Sequence, residues 1–255
     1  MATALASRSP EESEYDGILA RAARAVELAR TAAGNVSDVI AFREESAYER
    51  VRKAEEELDQ IDRAVDVTVA SAVTHATLSQ SRELLACMKM VIDLERVGDL
   101  VASVASCAHA LGARIPMDDV ADLATMSCIL EKMLTDATQA FSLRDNQLAM
   151  QVLKTDSELD RRRNLLIIRH LEQAETRMTG DSVQILFMAQ ALERAGDHVK
   201  NLAEEVCHLV SGQSIRHLVG TSAASNEQMY LQYLRNTTYP KPGDAESSIP
   251  ATQKS

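Results

Sequence analysis

Proline and glycine are scarce in this chain of 255 residues. There are five prolines and nine glycines, about half the usual combined share of roughly 12%. Prolines stand at Pro10, Pro116, Pro240, Pro242 and Pro250, and none falls within 11–115 or 117–239. An all-β protein of this length needs many tight turns, which is where Gly and Pro collect, so that class is excluded. A doubly wound α/β fold needs a glycine-rich turn after a strand, and none is present. Aromatics are almost absent, with no Trp, three Phe and five Tyr, so the core is built from aliphatic side chains and Met. The four cysteines, Cys87, Cys107, Cys128 and Cys207, are isolated. They show no zinc spacing and read as buried reduced thiols. No run of about 18 apolar residues offers a membrane span, and the opening MATALASRSP has no apolar stretch of signal-peptide type; a cytoplasmic location is expected. Positive charge is also short, with 27 Lys+Arg against 38 Asp+Glu and a net charge of -11. That balance repels phosphate backbones and disfavours nucleic-acid binding.

What is present is helical periodicity. Apolar residues recur at three- and four-residue spacing through most of 11–212, as in Leu84, Leu85, Met88, Val91, Ile92 and in Ile129, Met133, Ala140 around Asp136. This is the amphipathic helix pattern. Break signals lie at 42–46, with Ser46 as an N-cap candidate, at Thr77–Ser79, at Gly112–Pro116, at Arg144–Asn146, at Thr179–Ser182 and at Gly212. They predict six helices over about 11–42, 46–75, 78–111, 118–143, 146–177 and 181–211, within a few residues at each end. Long helices joined by short loops form antiparallel bundles.

The six helices are two copies of three. Leu94-Glu95-Arg96-Val97-Gly98-Asp99 recurs as Leu192-Glu193-Arg194-Ala195-Gly196-Asp197, and Glu55-Glu56-Glu57-Leu58-Asp59 pairs with Asp156-Ser157-Glu158-Leu159-Asp160. Arg43 and Val51 hold the second offset with Arg144 and Val152. Such self-similarity decides a fold. The expected class is all-α, two pseudo-symmetric antiparallel three-helix bundles over 11–112 and 117–212, with Pro116 at the seam. Residues 213–255 read as an extension, with a short helix over 227–235 and a disordered end.

The duplicated elements carry carboxylates in stripes. With about 100° per residue, Glu193, Asp197, Asn201, Glu204 and His208 fall within roughly 80° of one another, and Glu95 and Asp99 do the same with Ser103 and Ser106. Glu55/Asp59 and Asp156/Asp160 are i, i+4 acid pairs, each costing roughly 0.2–0.5 kcal/mol in like-charge repulsion. A bound cation would offset that cost, since hard cations take oxygen ligands. The alternative is a solvated face in which Lys200 neutralises Asp197 and Glu204. Gly98 and Gly196, inside helices where Gly costs about 1 kcal/mol against Ala, read as close-approach points that set the acid stripe beside a neighbouring backbone. Glu205-Val206-Cys207-His208 is a lone Glu-x-x-His, half of what a di-iron carboxylate site needs. No nucleophile elbow, Walker loop or dinucleotide fingerprint occurs.

The run Glu193-Arg194-Ala195-Gly196-Asp197-His198-Val199-Lys200-Asn201-Leu202-Ala203-Glu204, with its shorter echo at Glu95, Arg96, Gly98 and Asp99, resembles the PhoU family of phosphate-signalling proteins. The resemblance covers about 11–212. It implies a non-enzymatic, negatively acting regulator of phosphate uptake and phosphate-starvation signalling. Such a regulator is an adaptor between a phosphate ABC transporter ATPase and a sensor histidine kinase on the cytoplasmic membrane face, often a homodimer. It also implies metal ions, iron, zinc, manganese or magnesium, on the acidic motifs. The ligands would be Asp156, Asp160, Glu193, Asp197, Asn201 and Glu204 in the second half. Those of the first half would be Glu55, Asp59, Glu95 and Asp99. Because Ser103 and Ser106 stand where the family often has Asn and Glu, the first site is expected to be the weaker one. Two other readings stay open: a metal-independent protein–protein adaptor, and a carboxylate-bridged metalloenzyme.

Overall fold

The structure, a computed structural model, describes residues 10–173 and 179–211. Six α-helices follow one another: α1 Pro10–Phe42, α2 Glu45–His75, α3 Leu78–Leu111, α4 Met117–Leu143, α5 Asn146–Gln173 and α6 Gly180–Ser211. The longest, α3, has 34 residues, about 50 Å at 1.5 Å per residue. The expected short helix at 227–235, the disordered end and the last residues of the fifth predicted helix lie outside the described residues.

Local chemistry sets the helix ends. Thr77 opens α3 with a capping box: its hydroxyl accepts from the Gln80 N–H, and the Gln80 side chain accepts from the Thr77 N–H at 3.0 Å. Asp145 caps α5 by accepting from the Gln147 and Leu148 N–H groups, and Thr179 caps α6 through the Ser182 N–H. Ser46 is not an N-cap. Helix α2 starts a residue earlier, behind Glu44, and the Ser46 hydroxyl donates to the Glu44 carboxylate. A short 3-10 turn, Gly112–Arg114, precedes Pro116. Gly112 sits at φ +55, a conformation that glycine tolerates at a helix end.

Helices α1, α2 and α3 pack on one another, as do α4, α5 and α6; α1 lies against α4 and α3 against α6. Both inter-bundle seams are antiparallel. Along α3, Lys89, Asp93 and Cys107 meet Glu205, His198 and Gln184 in descending order. Across the other seam the Ser127 hydroxyl donates to the Ala33 carbonyl, and Arg30 reaches Glu131 at 3.5 Å. The halves are therefore related by a pseudo-two-fold axis across the helices. Local details repeat with it. Arg43 and Arg144 end α1 and α4 with φ of 57° and 54°, and their N–H groups bond to the carbonyls of Val39 and Ala140, residues at the same offset of 101.

Among the described residues the buried core through both bundles holds no aromatic side chain, while Tyr15, Tyr48 and Phe141 pack at its edge. Ile18, Ile40, Leu58, Leu84, Leu94, Leu123, Leu130, Leu159 and Leu166 are buried, with Met90, Met126, Met133 and Met188 among them. The predicted stripe on α3 splits: Leu84 and Val91 are buried, whereas Leu85 and Ile92 face out at 47% and 42% exposure. The cysteine reading holds for Cys87 and Cys207, which are buried. It fails for Cys107, half-buried on the α3–α6 seam, and for Cys128, exposed beside Ser37 on the α1–α4 seam.

Candidate functional site

Each half carries one acid motif, built where its second and third helices cross. Gly98 of α3 faces Leu58 of α2, and Gly196 of α6 faces Leu159 of α5. A Cβ on either glycine would overlap the leucine methyl group, so the missing side chain is what lets the two helices close. The neighbour is a leucine side chain in both cases, not a backbone, which corrects the sequence expectation. This contact sets Glu55 and Asp59 beside Glu95 and Asp99, and Asp156 and Asp160 beside Glu193 and Asp197.

The two motifs differ in how their charge is met. In the second, Asp156 and Glu193 are buried, at 3% and 8% exposure. The Lys200 ammonium donates to Asp156 Oδ2 at 2.9 Å. Arg163 Nη1 lies 2.8 Å from Glu193 Oε1, and the Gln190 amide donates to Glu193 Oε2 at 2.5 Å. Burial pushes the Glu193 carboxyl up to about 7; Arg163 pulls it back while Asp197, Asp160 and Asp156 add to the rise. Burial raises Asp156 and Asp160 too, opposed by Lys200 and Arg163 respectively. For Lys200, burial acts to lower the ammonium's pKa, but Asp156, Asp197 and Asp160 outweigh it and hold the group protonated. Sequence reasoning paired Lys200 with Asp197 and Glu204 on its own helix; its hydrogen bond goes across to α5 instead.

The first motif has no internal cation. Residues equivalent to Arg163 and Lys200, at the offsets of 101 and 98 that hold for those helices, are Asp62 and Ala102. Asp62 thus joins Glu55, Asp59, Glu95 and Asp99. Burial and like-charge neighbours raise Glu55, Asp62 and Glu95. The cations are at the rim: Arg63 pairs with Asp59 at 2.5 Å, and Arg96 lies 3.5 Å from Glu95 and 3.6 Å from Asp99. Asp62 and Arg163 escaped the sequence reading, though aligning the two copies one turn past Asp59 and Asp160 brings both out.

One predicted residue leaves the motif. Asn201 turns to the α3–α6 seam, where its amide donates to Asp93 Oδ1 at 3.2 Å, beside His198 Nδ1 at 2.8 Å from the same oxygen. Glu204 lies near Cys207, whose thiol it helps to raise after burial. The lone Glu-x-x-His does not form a metal element either: Glu205 pairs with Lys89 at 3.0 Å, and His208 Nδ1 is 4.0 Å away. Among the described residues no group of three or more His, Cys, Asp or Glu side chains is arranged to hold a metal ion. The carboxylates are of the right kind for a hard cation, but in the second motif an ammonium and a guanidinium already pair with Asp156 and Glu193. The metal implied by resemblance does not fit that motif as it stands.

The other end of the α3–α6 seam is the pseudo-symmetric counterpart of the Asp93–His198–Asn201 cluster. There Ala191, Leu100 and Ser103 replace them, around a cavity of about 330 Å³ that Cys107, Phe187 and Arg194 also line. Phe187 is 63% exposed.

Fold and motif define a class: a duplicated three-helix bundle with one acid-striped helix crossing per copy. The PhoU domain model matches residues 23–108 and 123–206, so the chain belongs to the PhoU domain family. It is 29% identical over 181 residues to a phosphate-specific transport system accessory protein PhoU homolog of Xylella fastidiosa strain 9a5c, covering 70% of this chain and 77% of that one. It is 26% identical over 181 residues to homolog 1 of Thermotoga maritima, covering 69% and 78%. The crystal structure of PhoU from Pseudomonas aeruginosa superposes with a TM-score of 0.73 at 24% identity, over 79% of this chain and 99% of that one. No helix among the described residues is long and apolar enough to cross a membrane.

Proposed function

We propose that the chain is a non-enzymatic accessory protein of a phosphate-specific transport system. It acts as a negative regulator, an adaptor between the transporter's ATPase and a sensor histidine kinase. It works from the cytoplasmic membrane face, as a homodimer. The observation that carries this reading is the match of both halves to the PhoU domain, together with relatives named as phosphate-transport accessory proteins over more than two thirds of their length. The site geometry supports an adaptor over an enzyme. Its titratable groups are tied to one another across helix contacts, and the glutamate of the one Glu-x-x-His is paired with Lys89. The adaptor role needs no bound metal at the second motif, because its acids are met by Lys200 and Arg163. A co-purification from cells grown in high and in low phosphate tests the reading. Capture of the ATPase and the kinase, changing with phosphate, is expected. Recovery of neither at either level would overturn it.

A further inference from the structure

The acidic motif is duplicated here, and one copy carries its own cations. We infer that Lys200 and Arg163 act as built-in counter-ions of the second motif and make that half independent of metal. The inference concerns side chains inside one bundle and does not rest on the regulatory role proposed above.

Three observations carry it. Lys200 rises from α6, the helix that bears Glu193 and Asp197, yet its ammonium crosses to Asp156 on α5 at 2.9 Å. Arg163 rises from α5 and crosses the other way, to Glu193 on α6 at 2.8 Å. The two bonds staple the crossing from both sides, each joining a cation of one helix to a carboxylate of the other. A divalent ion bridging the same carboxylates would do the same work of holding the helices together.

The second observation is burial. The side chains of Asp156 and Lys200 are 4% and 23% exposed, and those of Glu193 and Arg163 are 10% and 20%. Buried charges persist when paired, and these are paired within the chain. A metal ion could enter only by displacing two side chains whose own charge would then be stranded.

The third is the internal control that the duplication supplies. The first motif keeps the same backbone crossing, the same Gly98–Leu58 contact and four carboxylates at matching positions, but has Asp62 and Ala102 where the cations stand. The cations thus belong to the second copy alone and are not a requirement of the fold.

The experiment uses the full chain in an Asp99→Asn background, which weakens the first motif, after exhaustive chelation. Thermal melting and calorimetric titration are run with manganese chloride and, separately, zinc sulfate. The parent is expected to melt at the same temperature with and without metal and to give no binding heat from the second motif. The Lys200→Met/Arg163→Met variant is expected to melt lower without metal, to recover several degrees on adding it, and to bind it measurably. Lys200→Arg is expected to behave as the parent, since the charge is kept.

If the double variant fails to fold, a second comparison decides. Parent and Glu193→Gln/Asp197→Asn are titrated side by side, and equal metal uptake supports the inference. Metal uptake by the parent that this pair of substitutions abolishes would overturn it. So would a Lys200→Met/Arg163→Met variant that folds but is indifferent to metal.

Discussion

The two halves of the molecule share one backbone plan and differ in where they place charge. At the helix crossing the first half sets five carboxylates together and leaves its arginines at the rim. The second buries two of its four carboxylates, Asp156 and Glu193, and sets a lysine and an arginine among them. Away from the crossing the contrast recurs. Asp119 of α4 and His170 of α5, buried at 3% and 7%, lie 3.1 Å apart with Arg169 on the same carboxylate. At the offset of 101 the first half has Ile18 and Val69, both in the core. The lesson is that a three-helix bundle tolerates either solution at an equivalent point, apolar or ionic, provided each buried charge has a partner. Polar content in the second half specifies which contacts form; it does not create the fold.

The contrast can be broken most sharply at Asp119. Replacing it alone by Ala leaves His170 in the interior without its carboxylate, while Arg169 keeps Asp122 at 2.6 Å, and is expected to cost about 3 kcal/mol in denaturant melts. Installing the first half's own pair, Asp119→Ile with His170→Val, is expected to regain most of that loss. A double variant no better than the single would show that the halves are not interchangeable there.

The pH dependence is next in size. Glu193 titrates near 7 in the folded chain against an ordinary value of 4.5. A carboxyl raised by folding binds its proton more tightly in the native state, so its contribution is full below the ordinary value and is lost as pH rises through about 7. That shift corresponds to about 3 kcal/mol at most. Measured against a Glu193→Gln variant, the wild-type chain should lose relative stability between about pH 4.5 and pH 8. A constant difference across that range would show that Glu193 is ionised throughout.

Smaller effects sharpen the comparison. Gly196→Ala and Gly98→Ala each push a methyl group into a leucine and are expected to cost about 2 kcal/mol apiece by thermal melting. Loss at one glycine only would mean that the two crossings are not equally close. Ala102→Lys gives the first half the lysine of the second, placed toward Glu55 as Lys200 is toward Asp156. It is expected to stabilise by less than about 1 kcal/mol, because that motif is more exposed.

Much of this was legible in the sequence. The scarcity of Pro and Gly, the three- and four-residue periodicity and the repeat of Leu-Glu-Arg-x-Gly-Asp define six helices in two copies, and the helix ends agree within two residues where they are described. Gly98 and Gly196 are legible as close contacts, since a glycine repeated inside a helix needs a packing reason. What escaped is which partner each charge takes. Helical angles place Lys200 near Asp197 and Glu204 but carry no information about α5, so the bond to Asp156 was out of reach. Asn201 fails for the same reason: its angle fits the stripe, yet Asp93 on the facing helix holds its amide. The expected weakness of the first motif rested on counting donors. The structure adds a second count, of cations: Asp62 and Ala102 stand where the second copy has Arg163 and Lys200.

The central claim is that Lys200 and Asp156 form a coupled pair across the α5–α6 crossing. A double-mutant cycle with Asp156→Asn, Lys200→Met and the two combined measures that coupling directly from unfolding free energies at neutral pH. The account predicts a coupling of about 2 kcal/mol or more, with the combined variant more stable than the singles imply. Additivity within about 0.5 kcal/mol would contradict it and leave the second motif as uncompensated as the first.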